Sequence, residues 1–269
     1  MATLTTQPAA PGTAGYWLES WVLPILGIAS LFLVWALVAG SGLVPPEFLP
    51  GPLAVLRKAI ELTQVPYSGA LLQVHILASL EKFAIAYVLA AVTGVALGLV
   101  MGRSVLIERC LGPIFEALRF IPPIAWVPFS ILWLGTGFLA PTLVIFAGAF
   151  SSCLVNAYSG AKLADKALLE AAQTLGLGRW LTLSEVLFPA ALPHIVAGMR
   201  IGAGFGWQSL IGAELIVGST GLGYMIVQGE SNLAASVVVV GMITIGVIGA
   251  LIDLSMRKVE LWLRRRWRR

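Results

Sequence analysis

The sequence predicts an all-α membrane protein whose spanning helices form one six-helix bundle. Of its 269 residues, 58% are hydrophobic and only 11% are charged, and the mean hydropathy is +0.92. The apolar residues form charge-free runs that reach the roughly 20 residues a spanning helix needs. They do not alternate with polar residues, as the short strands of a membrane barrel would. A soluble domain and a barrel are therefore both excluded.

The predicted elements follow in chain order. Residues 1–19, rich in Thr, Pro, Ala and Gly, are expected to form a disordered tail; no basic segment precedes the first apolar run, which we interpret as a retained helix. The run at 120–161 is about two bilayer widths long and must turn back near 135–141. The six spans are then expected within 20–46, 83–102, the two halves of 120–161, 186–213 and 231–252.

Prolines and glycines predict how these spans pack. Pro122, Pro123 and Pro128 crowd the start of the third span and predict a kinked or broken helix, which is tolerated at membrane depth only beside protein or a water-filled path. Glycine recurs at every fourth position in 94–102 and again in 198–206. Such ridges allow close helix approach, either inside one subunit or at a seam between two.

Basic residues predict the orientation. They gather in 103–119, in 162–179 and from Arg257 to the end, whereas the alternate loops hold only Arg57 and Lys58. The positive-inside rule places the three rich segments in the cytoplasm. With six spans, both termini are then cytoplasmic, and residues 264–269, nearly all arginine, form a basic cytoplasmic tail after a membrane domain at 20–263.

No catalytic or metal site is predicted. His75 and His194 stand alone and far apart, Cys110 and Cys153 are interpreted as packing residues, and no phosphate-binding G-x-x-x-x-G-K-[ST] sequence occurs. The chain is therefore not expected to be an enzyme, to hold a cofactor or to bind ATP itself. Nucleic acid is not an expected partner either.

Ionisable residues within spans are functional candidates. We interpret Lys82, Arg200 and Asp253 as snorkelling to the interface. Glu214 is harder to place, because a glycine-rich segment follows it. Two roles remain open for it: capping or pairing with backbone amides near the outer face, or lining a substrate path. The candidate path residues are Pro122, Pro123, Trp207, Gln208 and Glu214.

The charged loop at 162–189 must lie in water between spans four and five. Asp165 can cap a short helix that Gly176 ends with a left-handed turn. So short a helix is marginal alone in water. The loop is therefore expected to dock into another protein.

This loop resembles the EAA loop of binding-protein-dependent ABC importer permeases, whose pattern is E-A-A-x3-G-x9-I-x-L-P. Conservative changes replace its Ile and Leu. The matching residues are Glu170, Ala171, Ala172, Gly176, Val186, Phe188 and Pro189. Further similarity to the nitrate, sulfonate, taurine and bicarbonate branch lies in 48–52, 119–122, 132–135, 189–193, 198–200, 213–215 and 221–223.

The resemblance implies a type I importer fold in a bacterial inner membrane and a pore-forming subunit. Its implied partners are a second copy in a homodimer, two cytoplasmic ATPase subunits that bind the ATP, and an extracytoplasmic binding protein. The implied substrate is a small anion: nitrate or nitrite, bicarbonate, or a sulfonate such as taurine. The residues implied to couple the ATPase are Asp165, Glu170, Ala171, Ala172, Leu175 and Gly176. The alternatives are a neutral or cationic substrate such as a thiamine precursor, or a passive channel.

Overall fold

A computed structural model describes residues 22–266. The predicted tail at 1–19 and the last three arginine-tail positions lie outside these residues. Within them the chain is almost entirely helical, and residues 264–266 continue the last helix. The main helices are α1 Leu23–Gly40, α2 Pro52–Leu62, α3 Leu72–Arg103, α4 Val105–Leu118, α5 Val127–Leu134, α6 Leu139–Lys162, α7 Lys166–Thr174, α8 Arg179–Thr182, α9 Phe188–Val217, α10 Leu222–Ser231 and α11 Ala235–Arg266.

The centre of the bundle is α6, with α3 parallel to it and α9 antiparallel. Both glycine ridges face α6. A Cβ on Gly98 would lie 2.5 Å from the Leu154 carbonyl oxygen, and one on Gly202 would lie 2.9 Å from that of Ala149. Backbones this close leave no room for a side chain, so the ridges form seams within one subunit. This decides between the two packing arrangements that the sequence left open.

Five helices in the described part of the chain are long and apolar enough to cross a membrane, and a bent pair is the candidate sixth crossing. In that pair α4 meets the segment Pro123–Leu134 at 94°, and a four-residue 3-10 turn precedes α5. The predicted break in the third span is thus confirmed. The pair begins much earlier than expected, since 105–118 is a helix and not a loop.

The error has a physical cause. The charged residues of 103–119 suggested an aqueous loop, but Glu108 forms an ion pair with Lys162 at 2.7 Å and accepts a hydrogen bond from Tyr158. These contacts join the start of α4 to the end of α6. We call the end of the bundle that carries Arg103 and Lys162 the basic end.

The structure adds an ion pair that the sequence did not predict. The guanidinium of Arg200 donates to both carboxylate oxygens of Asp253, at 2.7 and 3.0 Å, and so links α9 to α11. Cys153 is a buried packing residue as expected, whereas Cys110 is exposed.

Candidate functional site

The first candidate site is the loop that carries α7. Asp165 caps this helix, and its carboxylate accepts a hydrogen bond from the Ala167 amide at 2.9 Å. Gly176 has a φ of +70°, and the Leu177 amide donates back to the Ala172 carbonyl at 3.0 Å. Both predicted ends of the helix are confirmed. The hydrogen bonds at the two ends fix the direction of α7 relative to the bundle.

The faces of α7 differ sharply. Ala172 is only 3% exposed, and Leu169 packs against the apolar cluster beneath it, at the basic end. Glu170 and Ala171 face outward. The two alanines therefore have different surroundings: Ala172 is buried against its own bundle, whereas the residues that the structure describes leave Ala171 uncovered.

Apolar side chains extend this outward surface. Leu168 is 52% exposed and Leu175 is 79% exposed. Together with Glu170 and Ala171 they form a small surface of apolar and charged side chains, on the side of the helix opposite the buried Ala172. We call these four residues the outer face of α7.

The second candidate site is a buried polar cluster at the end of the bundle opposite the basic end. His75, Ser79 and Lys82 lie on one face of α3, and each is 4% exposed or less. Glu214, 1% exposed, approaches from α9. The Lys82 ammonium is 2.9 Å from Glu214 Oε1, and the Ser79 hydroxyl is 2.9 Å from Oε2. Lys82 therefore lies well inside its helix, contrary to the snorkelling interpretation.

The cluster also binds the start of α10. The amide of Gly223 donates to Glu214 Oε2 at 3.0 Å, and that of Leu222 donates to Ser79 Oγ at 2.9 Å. Gly221 donates to His75 Nδ1 at 3.3 Å, while His75 Nε2 is 3.1 Å from the Tyr67 carbonyl. These amides would otherwise be unpaired at a helix N-terminus, where negative charge is favoured. The contacts of Glu214 are those of the first of its two candidate roles, pairing with backbone amides.

A glycine is required where this segment passes the carboxylate. Gly221 has a φ of +122°, and a Cβ on it would lie 2.1 Å from Glu214 Oε1. Lys82 donates a second hydrogen bond to the Thr220 carbonyl. Among the described residues, no buried side-chain nitrogen or oxygen lacks a hydrogen-bond partner. The cluster is complete within this chain.

The predicted path residues do not converge. Trp207 is inside the bundle, with its indole Nε1 donating to the Ile245 carbonyl at 3.2 Å. Gln208 is exposed on the same helix, and Glu214 belongs to the polar cluster. Pro122 and Pro123 lie at the bend after α4, and of these five residues Pro123 alone lines the cavity described next.

That cavity, of about 660 Å³, lies between the bent pair and α6. Its lining is mainly aromatic and aliphatic, with four polar side chains. These are Arg119, Ser151, Ser152 and Asn156. The polar residues within the apolar sequence of α6 were the signal that could have predicted this cavity. Arg119 was not among the predicted path residues, because the charges of 103–119 predicted an aqueous loop there.

Comparisons with known proteins agree with this arrangement. Residues 94–269 match the family described as binding-protein-dependent transport system inner membrane component. The chain is 36% identical over 239 residues to the taurine transport system permease protein TauC of Escherichia coli, covering 88% of this chain and 87% of TauC. It is 33% identical over 238 residues to the nitrate import permease protein NrtB of Synechocystis, covering 86% and 85%.

A solved structure shows the same fold. A chain of the inward-facing MetNI methionine ABC transporter aligns with a TM-score of 0.63 at 19% identity, covering 70% of this chain and 94% of the other.

Proposed function

The chain belongs to the family of binding-protein-dependent transport system inner membrane components and is an ABC importer permease of the bacterial inner membrane, and from this premise we propose how it works. Two copies form the membrane pore. Two cytoplasmic ATPase subunits bind and hydrolyse ATP, and an extracytoplasmic binding protein delivers the substrate. Closure of the ATPase pair pushes on α7, and the bundles rock between inward-open and outward-open states.

The basic end faces the cytoplasm in this proposal. Arg103 and Lys162 end helices there and Arg179 begins one. Arg257 lies in the last part of α11, and the arginine-rich residues 264–269 come later in the sequence. The positive-inside rule supports this orientation. Arg119 no longer belongs in that count, because it lies beyond α4, but the bias remains large without it.

The observation that carries the coupling role is the outer face of α7. A helix of this length does not persist alone in water, yet this one is capped at both ends and anchored by Ala172. Its outer face is left uncovered by the described residues of the chain. Such a rigid, exposed surface is suited to seat in a groove of a partner. It is also suited to transmit force to α9, because the π-helical segment Leu183–Leu187 joins α8 to α9 without a break.

The substrate is proposed to be a small anion such as nitrate, nitrite, bicarbonate, or a sulfonate like taurine. Support comes from the relatives named for taurine and nitrate transport. Import of a neutral or cationic compound such as a thiamine precursor is the alternative. A passive channel is disfavoured because it has no use for a docking helix.

Co-purification with the ATPase and substrate-stimulated ATP hydrolysis in proteoliposomes test the proposal. Glu170→Arg reverses a charge at the centre of the outer face, and should reduce stimulated hydrolysis at least about tenfold while leaving membrane insertion intact. Glu47→Arg, the same charge reversal at an exposed position in the connection between α1 and α2, is the matched control. Full transport in Glu170→Arg, or a wild-type chain that captures no ATPase, would refute the coupling role.

A further inference from the structure

Arg119 is exposed on the subunit and lines the cavity together with residues of the apolar span of α6. At the basic end, Glu108 pairs with Lys162 at 2.7 Å. Further along, the rings of Phe115 and Phe150 are 5.8 Å apart. The start of α4 is thus joined to the end of α6, and its last turn reaches the middle of α6. Arg119 follows α4 and shares the cavity lining with Phe146. At roughly 1.5 Å per residue, Phe146 is about 24 Å from Lys162 along α6, inside the apolar span.

Arg119 has no ion-pair partner among the residues the structure describes. Its guanidinium lies over the Phe120 ring, 5.0 Å from the centroid. Glu116, on the same helix, does not line the cavity. An unpaired arginine inside hydrocarbon is costly, so this position requires either water or an anion beside it.

The cavity wall opposite Arg119 offers further polar groups. Ser151 and Ser152 supply hydroxyls. The side-chain Nδ2 of Asn156 donates to the Ser152 carbonyl at 2.9 Å, which fixes the orientation of the Asn156 side chain. The lining contains no Asp or Glu. A single cation, neighbouring hydroxyls and no carboxylate favour an oxyanion over a cation. A volume of about 660 Å³ admits a small anion together with several waters.

We propose that this cavity is the transmembrane passage for a small oxyanion, and that Arg119 contacts the anion as it crosses. The inference rests on the proposed function and deepens it, because it names the cavity through which the proposed anion crosses and the residue that contacts it there. A cationic substrate is disfavoured beside Arg119.

Charge-selective labelling tests this without knowledge of the substrate. In a Cys110→Ser background the remaining Cys153 is buried, so that chain should react with neither reagent. Ser151→Cys then places one thiol in the cavity. The permease, purified with its ATPase, is treated separately with an anionic and a cationic methanethiosulfonate. The rate of labelling by the anionic reagent is divided by the rate of labelling by the cationic one. This ratio is then compared with the ratio measured for a small free thiol in the same buffer.

Several results are expected if Arg119 sets the potential in a hydrated cavity. The ratio at Ser151→Cys should favour the anionic reagent by about fivefold or more. Arg119→Gln should abolish this preference and Arg119→Lys should retain it. Arg109→Gln, which removes the same charge from an exposed position on the same helix, should leave it unchanged.

The proposal is overturned if neither reagent reacts, if the ratio matches that of the free thiol, or if both glutamine variants lower it equally. The comparison with the free thiol needs no Arg119 variant, so a misfolded Arg119→Gln does not weaken the test. Failure of the importer proposal itself would be visible separately, as loss of ATPase from the wild-type preparation.

Discussion

The polar cluster and the outer face of α7 lie at opposite ends of the bundle and differ in burial: the cluster is buried and the outer face is exposed. In the cluster, Glu214 has Lys82, Ser79 and a backbone amide around it, and its exposure is 1%. On α7, Leu175 is 79% exposed and Glu170 faces outward. One region is complete within the chain, whereas the other requires a partner. Substitutions should therefore affect folding at the cluster and assembly at α7.

The largest effect on stability is expected from Lys82→Ala. It leaves the Glu214 carboxylate buried without its counterion, and breaking a buried pair from one side costs about 3–5 kcal/mol. Unfolding of the purified subunit in mixed micelles, titrated with SDS, measures the loss.

The control for this prediction is the double variant Lys82→Met/Glu214→Gln. It removes both charges and keeps a hydrogen-bonding group for Ser79 and for the Gly223 amide, so it should recover most of the stability. A Lys82→Ala subunit as stable as wild type would show that the cluster does not hold the fold together.

The sequence predicted the apolar spans, the break at Pro122–Pro123 and both ends of α7, because each depends on residues close together in the chain. Hydropathy locates the spans and proline the break, and Asp165 and Gly176 mark the helix ends through local backbone geometry. The fold similarity to MetNI agrees with the importer class.

The contacts that define the two membrane sites could not be predicted in this way. Lys82 and Glu214 are far apart in sequence, and hydropathy placed Lys82 at the mouth of a span that in fact begins at Leu72. Arg119 was assigned to water because its neighbours are charged. The structure shows that residues 105–118 are a helix, and that Glu108 near its start pairs with Lys162 at the end of α6.

An intermediate loss of stability is expected from Gly176→Val, and it separates the role of the loop in coupling from the role of the polar cluster in folding. The φ of +70° at this position is disfavoured for a β-branched residue, and the strain costs about 1–2 kcal/mol. Because the strain falls on the turn that ends α7, the helix should lose its direction, and substrate-stimulated ATP hydrolysis should be abolished while the subunit stays folded.

Gly178→Val is the matched control for this turn. Gly178 has a φ of −63°, and a Cβ there meets nothing within 4 Å. It should retain hydrolysis and stability. Equal losses in both variants would mean that the loop tolerates no bulk at all, and the left-handed turn would not be the cause.

The smallest effect on stability, and the sharpest contrast with the cluster, is expected from Leu175→Ser. This side chain is 79% exposed, so its removal changes the free energy of unfolding of the subunit by about 0.5 kcal/mol or less. If the outer face of α7 is buried by the ATPase, however, the same change removes an apolar contact worth about 1.5–3 kcal/mol, and ATPase retention during purification should fall by at least about tenfold. Leu43→Ser is the control, because Leu43 is 83% exposed in the connection between α1 and α2. It should change neither the free energy of unfolding nor the retention of the ATPase. A Leu175→Ser subunit that retains the ATPase fully would show that the exposed leucine is not part of the docking surface, and that the partner binds elsewhere on the basic end.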